Sequence, residues 1–504
     1  MIAYGTSPLA NRLGDPDQRS ALERSLLAAA AARVRDDRIA AVAAEKDVPV
    51  SLLQQRIWFF QQLSADTAIY QTALCWLLRG ELDSAALRGA VADLVQRHAA
   101  LRTRIMPDDN GVPVLIVDSA RPDVCTIDEC ATIPVSAAEL SMLTYARLRA
   151  ITEAPFDLAV DWPFRARLLT VGARQWLLAI VLHHTAYDGH SLRVLRADLS
   201  AAYLARLRGA AVVAPPGPVT YRDYAHWLAG RAGSPSWAQH LDYWRDALGG
   251  TPDLTGLPTD RRRADVQQFR GGAVDVDLPP VLAGRARELS RALGCTTFVT
   301  LMAAFHALLH RYSNDDTSVV GTPVSLRDRP ELADVVGLFV NTLAIRADFT
   351  DRLSFVALIE RVRAALVGGM DHREVPFDEV VAALNRPRQL GHNPVFQTMF
   401  QFNIDQPEPL IIEGITCEEI AIEPEVSTFD LAMYLSDDGA AITGWLGFSR
   451  DLFDERTAKL IAAHYLSLLE AVLSDPYAPV ENARVLAPGE LTVVFPPAIP
   501  DGAS

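Results

Sequence analysis

Hydrophobic and polar positions follow two different periods along the chain, and these periods predict a mixture of helices and strands. In some stretches apolar residues recur roughly every three to four positions, which is the spacing of one face of an amphipathic helix. The predicted helices are residues 51–63, 83–98, 191–208, 221–248, 296–312, 354–367 and 454–473. Short apolar runs between turn residues predict strands instead. The predicted strands are residues 72–78, 113–117, 164–170, 176–183, 318–324, 339–346, 395–402, 429–435 and 441–448.

The order of these elements predicts an α/β fold with two lobes. Residues 176–183 are apolar on both faces, which is typical of a strand in the middle of a sheet. A segment rich in Gly and Pro at 209–220 interrupts the pattern, and a similar succession of helices and strands follows it. We therefore expect an N-terminal lobe at 47–230 and a C-terminal lobe at 231–487, with the default binding site in the cleft between them.

The two ends of the chain differ from this body. Residues 18–46 are rich in Ala, Leu, Arg and Glu and contain no Gly or Pro, which favours one or two helices. They predict a helical N-terminal appendage at 1–46, which either docks to a partner or lies on its own domain. Residues 488–504 are expected to be a tail or linker.

Composition narrows the class of protein. Half of the 504 residues are hydrophobic and 22% are charged, so the chain can bury a sizeable core. The formal net charge of −15 makes it a poor general binder of nucleic acid or of anionic membranes. Its 5 cysteines are scattered without a CxxC pair, and the N-terminus has no signal-peptide pattern. The longest apolar runs have only strand length, so we expect a soluble cytoplasmic protein with reduced thiols.

The segment HHTAYDG at 183–189, where a predicted buried strand ends, is the most informative about chemistry. Successive side chains of a strand point to opposite faces, so His183 and His184 cannot both face one cavity. One imidazole is therefore expected to act while the other supports the loop. Asp188 needs a cationic partner in buried surroundings and is expected to pin the loop through an arginine. Gly189 suits either a left-handed backbone or the close passage of a ligand.

Two other interpretations of this segment stay open at the level of the residues. A metal site made of His184 and Asp188 would lack a third ligand at strand or helix spacing, so no metal is expected. The histidine pair could also be purely structural and satisfied inside the core. The chain contains no GxSxG elbow, no cysteine in a recognisable basic setting and no phosphate-binding loop, so no covalent nucleophile is expected.

The segment HHTAYDG resembles the HHxxxDG signature of the condensation domains of nonribosomal peptide synthetases, within the chloramphenicol acetyltransferase-like superfamily. Other segments are similar to further motifs of that family in the same order, from about residue 49 to residue 485. They are SLLQQRIW at 51–58, RHAALRT at 97–103, YRDYAHW at 221–227, VGLFVNTLAIR at 336–346, HREVPFD at 372–378 and RQLGHNPV at 388–395. The last segment departs most from its motif, at Gln389, Gly391 and His392.

The resemblance implies two acetyltransferase-like lobes arranged as a V around a central tunnel. In such domains a donor acyl or peptidyl thioester, carried on the phosphopantetheine arm of a carrier protein, meets the acceptor nucleophile at the second histidine, here His184. No cofactor bound by the chain itself is implied. A thioester is already activated, so an imidazole that acts as a base or positions the nucleophile is sufficient chemistry.

The resemblance also assigns supporting residues. It makes Arg102 the expected partner of Asp188, with Arg56 as the alternative. Asn341, Ser191 and His190 are expected to line the substrate tunnel. Asn341 has a second interpretation, as an amide on an edge strand that is satisfied by local hydrogen bonds.

Motifs that the chain lacks narrow the choice within the family. The DxxxxD pattern of heterocyclisation relatives is not seen, and VGLFVNT at 336–342 argues against epimerisation. No carrier-type GGxS segment and no glycine-rich adenylation signature occurs, so the expected partners are separate carrier proteins and a small-molecule acceptor. Amide formation is the leading expectation. The alternatives are an ester-forming acyltransferase that uses an alcohol, and a non-catalytic platform that recruits other enzymes to a carrier protein.

Overall fold

The structure of the chain is a computed structural model, which describes most of its residues. The described ranges are 38–43, 47–63, 68–121, 124–129, 146–210, 217–349, 352–386, 389–404, 408–420, 422 and 425–486. Contacts divide the chain into two compact units, Met1–Lys46 and Asp47–Ser504. The predicted helical appendage lies outside the described residues except for 38–43, which form neither helix nor strand, and the predicted tail at 488–504 also lies outside them.

The N-terminal lobe contains helices and strands in alternation. Its helices are α1 (Leu52–Leu63), α2 (Ser84–Arg97), α3 (Gly189–Leu207) and α4 (Tyr221–Arg231), and residues 146–153 are also helical. Its strands are β1 (Gln71–Gly80), β2 (Thr103–Pro107), β3 (Pro113–Val117), β4 (Cys125–Glu129), β5 (Phe164–Gly172) and β6 (Gln175–His183). This alternation agrees with the predicted α/β class.

The C-terminal half of the chain supplies a second set of elements. Its helices are α5 (Pro235–Leu248), α6 (Pro280–Ala292), α7 (Thr297–Ser313), α8 (Phe355–Asp371), α9 (Phe377–Ala383) and α10 (Glu455–Ser474). Its strands are β7 (Gly271–Asp275), β8 (Thr317–Ser325), β9 (Val340–Asp348), β10 (Thr398–Asn403), β11 (Ile415–Glu419), β12 (Leu431–Asp437) and β13 (Ile442–Ser449).

The strands form two main sheets and a small ribbon. The first sheet has the order β11-β1-β6-β5-β4, the second has the order β7-β13-β12-β10-β8-β9, and β2 pairs with β3. Strand β6 lies in the middle of the first sheet, and it is buried from Leu177 to His183, as its apolar sequence predicts. The loop that follows β6 therefore starts from the buried, central strand of the first sheet.

One strand crosses from the C-terminal half to the N-terminal sheet. Strand β11 pairs antiparallel with β1, with Cys417 opposite Leu78, and forms the edge of the first sheet. The first sheet is thus completed by residues that lie beyond the predicted C-terminal lobe boundary at 231. The predicted division into two lobes that follow one another in sequence therefore does not account for the position of β11.

The predicted boundary at 230/231 falls in the last turn of α4. Helix α4 packs against α1 and also contacts Phe339 through Tyr221 and Tyr224, whereas α5 packs against β9 of the second sheet. Residues 232–234 connect the two helices. Gly233 adopts φ +79° there, and Ser234 caps α5 by accepting a hydrogen bond from the backbone N–H of Trp237. The single helical stretch predicted at 221–248 is for this reason two helices.

Helix α7 occupies the core of the C-terminal lobe. It is buried from Val299 to His310, begins after the capping residue Thr296 and ends at Asn314 in the left-handed conformation. Among the described residues, no single helix is long and apolar enough to cross a membrane. The pair α6 and α7 meets that length and composition only when joined across a bend of 109°.

Candidate active site

The loop that carries HHTAYDG is held at both ends by regular structure. His183 is the last residue of β6, and Asp188 caps α3 by accepting a hydrogen bond from the backbone N–H of Ser191 at 2.7 Å. The backbone N–H of His184 donates to the carbonyl of Tyr70 at 2.7 Å. The two histidines therefore sit on a short, anchored turn between the central strand and a long helix.

The first histidine is part of the core. His183 is fully buried, and its Nδ1 accepts a hydrogen bond from the backbone N–H of Thr185 at 3.4 Å. Burial, with His184 nearby, lowers the pKa of His183 to about 3. Its Nε2 has no hydrogen-bond partner among the described residues. The His183 side chain is therefore neutral and supports the loop from the core, as the alternation of side chains along a strand predicts.

The second histidine is partly buried and presents a free ring nitrogen. Its Nδ1 lies 3.1 Å from the carbonyl oxygen of Tyr187. Since a carbonyl can only accept, Nδ1 carries the proton and Nε2 keeps its lone pair. No hydrogen bond of Nε2 is present among the described residues. Burial lowers the pKa of His184, and this is partly opposed by Asp188. A neutral imidazole in this tautomer can accept a proton.

Asp188 is the most heavily bonded side chain of the loop. Its Oδ1 accepts from the Ser191 hydroxyl at 2.8 Å and from Nη2 of Arg327 at 3.0 Å. Its Oδ2 accepts from Nε of Arg327 at 3.2 Å and from the backbone N–H of Phe339 at 3.1 Å. Because Arg327 and Phe339 belong to the C-terminal lobe, Asp188 fastens the loop to the opposite lobe.

The predicted partners of Asp188 are therefore wrong. Arg102 instead donates to the backbone carbonyl of Asp118, and burial lowers its pKa. Arg56 donates to Asn393 at 2.8 Å and lies 3.9 Å from Asp378. Both arginines are engaged elsewhere, and the cation that pairs with Asp188 is Arg327, which follows β8.

Two of the predicted tunnel residues have their polar atoms occupied. The amide of Asn341 donates to the carbonyls of Arg373 and Val375, both at 2.7 Å, and accepts from the backbone N–H groups of Thr342 and Phe377. It lies on β9, the edge strand of the second sheet, and it matches the locally satisfied alternative.

The Ser191 hydroxyl is buried in the same way. Its proton lies within reach of Asp188 and of the Gly337 carbonyl, and its oxygen accepts from the backbone N–H of Gly337 at 3.1 Å and from Arg327 at 2.9 Å. Neither Ser191 nor Asn341 has a hydrogen-bonding group left for a substrate.

His190 and Gly189 lie at the start of α3. Nε2 of His190 lies 2.8 Å from the carbonyl oxygen of Ala333, which is another bond between the lobes. Gly189 is exposed, and it is not among the glycines with positive φ, so a left-handed backbone does not explain it. A Cβ at this position would meet no atom within 4 Å. The space beside Gly189 is therefore open.

The motif at 51–58 contacts the loop, and the motif at 221–227 contacts that first motif. Gln54 of α1 donates from Nε2 to the Thr185 carbonyl at 2.7 Å, and the hydroxyls of Ser51 and Tyr221 are 2.7 Å apart. A cavity of about 730 Å³ is lined by residues of α1 and by residues of 378–386 and 389–394, and His184 does not line it. Arg327 was missed in the sequence because no motif contains it, whereas Gln54 stood inside the motif at 51–58.

The chain matches known proteins over nearly all of its body. A family model described as "Condensation domain" matches residues 44–492. A linear gramicidin synthase protein of Brevibacillus parabrevis is 34% identical over 440 residues, which cover 85% of this chain and 8% of that relative. The chain thus spans a small part of the length of this curated relative.

Solved structures resemble the fold closely. The X-domain from teicoplanin biosynthesis superposes with a TM-score of 0.82 and 28% identity, covering 89% of this chain and 100% of that one. The same X-domain is also known in a complex with OxyB, with a TM-score of 0.81. The first condensation domain of the CDA synthetase superposes with a TM-score of 0.72 at 19% identity, covering 88% of this chain and 100% of that one. These likenesses confirm the predicted α/β, acetyltransferase-like fold.

Proposed function

The chain belongs to the condensation-domain family, and from this premise we propose that it joins a carrier-bound acyl or peptidyl thioester to an acceptor amine. In the proposed reaction the amine nitrogen attacks the thioester carbonyl, a C–N bond forms, and the C–S bond breaks. The amine loses a proton, and the phosphopantetheine thiol of the carrier protein leaves in protonated form. The products are an amide and a free thiol.

The observation that carries the proposal is the state of His184. Its Nδ1 donates to the Tyr187 carbonyl, so Nε2 is the nitrogen that can accept the proton of the attacking amine. The lowered pKa keeps this imidazole neutral at neutral pH. Since a thioester needs no covalent relay, a positioned base and a held substrate provide the required chemistry.

The network around Asp188 supports the same role. The carboxylate bonds the start of α3 and Arg327 of the other lobe, so the turn that carries His184 cannot shift without breaking buried charged bonds. A base is effective only within hydrogen-bonding reach of the proton that it accepts.

Replacement of His184 tests the proposal. We expect His184→Ala to lower the rate of amide formation by about 10²-fold or more, which is the usual contribution of a positioned base. The measurement is single-turnover product formation with a loaded carrier protein, read by mass spectrometry. His464→Gln, which changes a histidine of α10 outside the site, is the matched control. A His184→Ala variant with the wild-type rate would remove the assignment.

The same assay separates the chemical alternatives. Amine and alcohol acceptors of matched shape are offered in parallel to the same loaded carrier. An excess of ester over amide would favour the ester-forming alternative.

A second candidate function is recruitment of another enzyme to a carrier protein. The likeness to the teicoplanin X-domain, which is known in a complex with OxyB, favours this alternative. It predicts tight binding of a carrier protein without turnover, and His184→Ala would then change neither the binding nor the product yield.

A further inference from the structure

Tyr187 occupies a position that the HHxxxDG pattern leaves undefined. Its ring stacks on the imidazole of His184, with the ring centroids 4.9 Å apart and the planes inclined by 21°. The side chain is only 3% exposed. One face of the imidazole is therefore covered by an aromatic ring that the sequence motif does not require.

The tyrosine itself is held from three directions. Its backbone carbonyl accepts the hydrogen bond from Nδ1 of His184. Its hydroxyl interacts with the side chain of Thr72, which lies on β1 opposite Leu182 of β6. The next residue is Asp188, which is tied to α3 and to Arg327. The ring thus has a fixed place between the central strands of the sheet and the start of α3.

We propose that Tyr187 is a positioning residue for His184, whose ring fixes the plane of the imidazole and excludes water from one of its faces. The proposal rests on the proposed function, since a fixed base matters only if His184 accepts a proton. The backbone carbonyl of Tyr187 selects the tautomer. With this single hydrogen bond alone, the imidazole could still rotate about it. The Tyr187 ring restricts that rotation because stacked rings keep a preferred offset geometry.

The two effects of the ring on protonation act in opposite directions. The face of an aromatic ring attracts a cation, which would favour the protonated imidazole. Exclusion of water disfavours the charged form, and burial lowers the pKa of His184 below its ordinary value. Loss of the ring admits water, so the pKa should rise towards that value. The acidic limb of the pH–rate profile should then move to higher pH.

Three variants separate positioning from simple packing. Tyr187→Phe keeps the ring, Tyr187→Ala removes it, and Tyr187→Leu keeps apolar volume without a ring in case the alanine variant does not fold. Tyr203→Ala is the matched control. It removes a tyrosine of α3 that is 1% exposed and whose hydroxyl accepts a hydrogen bond from the backbone N–H of Asp83. For each folded variant we measure kcat, KM, the pH–rate profile and the titration of His184 by ¹⁵N NMR.

We expect Tyr187→Phe to keep the wild-type kcat and pH profile. Tyr187→Ala, or Tyr187→Leu in its place, should lower kcat by roughly tenfold with little change in KM, which is part of what a positioned base contributes. The alanine variant should also raise the pKa of His184 in the NMR titration. Tyr203→Ala should change neither the profile nor that titration.

The proposal is overturned if the variants without the ring show the same His184 titration and the same kcat as Tyr187→Phe. It is also overturned if Tyr203→Ala lowers kcat and shifts the His184 titration as the loss of the Tyr187 ring does. Failure of the proposed function gives a different result. In that case His184→Ala stays active, whereas the NMR titration still reports whether the Tyr187 ring controls the imidazole.

Discussion

At the residue scale, the geometry of the candidate site depends on a carboxylate rather than on the histidines. Asp188 is 1% exposed, and it accepts hydrogen bonds from a helix N-terminus, from a guanidinium and from the backbone of the opposite lobe. The guanidinium of Arg327 is also satisfied by the carbonyls of Leu332 and Val335, and it lies 4.2 Å from the centroid of the Phe339 ring. Separation of this buried ion pair would leave each charge without a partner and away from water, so the pair is held in place.

Removal of the cation should therefore be costly. We expect Arg327→Ala to lower the free energy of unfolding by about 3–5 kcal/mol, because Asp188 would remain buried without its partner. Urea denaturation measures the loss. Arg245→Ala, which breaks an exposed pair with Asp242, should cost about 1 kcal/mol or less. A loss for Arg327→Ala no larger than the loss for Arg245→Ala would contradict this expectation.

The sequence could predict what each residue of the loop needs but not which residue supplies it. The period of a strand showed that His183 and His184 face different ways, and burial showed that Asp188 needs a cation. Arg327 lies 139 positions away from Asp188 and outside every motif. Only the packing of the two lobes brings these charges together, so the choice among the arginines could not be read from spacing.

At the element scale, most of the long periodic segments were predicted, whereas the 13-residue helix α6 and several short strands were missed. Strand β6 lies where its continuous apolar run places it. Strand β7 (GGAVD) begins with two glycines, and β11 (ITCEE) has only 5 residues and ends in two glutamates, so the local sequence of each is a weak signal for a strand. Both strands form by pairing with a neighbouring strand, and the local sequence does not show which strand that neighbour is.

The segment between Arg373 and Phe377 is positioned by one side chain of an edge strand. Asn341→Ala would leave the carbonyls of Arg373 and Val375 without their donor, and buried unpaired groups cost about 1–3 kcal/mol each. We expect a loss of stability of about 3 kcal/mol, measured by thermal unfolding, and an unchanged KM. Asn403→Ala, an exposed amide on β10, should be nearly neutral. A stable Asn341→Ala variant with a raised KM would instead place the amide at the substrate.

At the scale of the whole molecule, the lobes are joined by a strand and by buried charge. The segment that leads to β11 is fastened to α3 by Arg196, which is 5% exposed. Arg196 donates to Glu419 at 2.7 Å and to the carbonyl of Glu408 at 3.1 Å, and it lies 5.7 Å from the centroid of the Trp76 ring. The helix that begins at the candidate site thus also holds the strand exchanged between the lobes.

Hydrogen exchange can test this link. We expect Arg196→Leu to speed amide exchange in β11 and β1, while exchange in the second sheet stays unchanged, because the strand loses its buried anchor. Arg79→Ala is the matched control, since its pair with Glu418 joins the same two strands but is exposed. Equal effects of both variants would show that burial of the arginine is not what secures the crossing strand.

The exchanged strand also limits how such proteins can be recombined. A chimera that joins the first half of this chain to the second half of a relative would close the first sheet with a foreign β11. The register of the foreign strand on β1, and its partner for Arg196 in place of Glu419, would then match only by chance. A transplant that moves Asp47–Ser504 as one piece keeps both sheets native, and recombination points placed between the lobes should give poorly folded products.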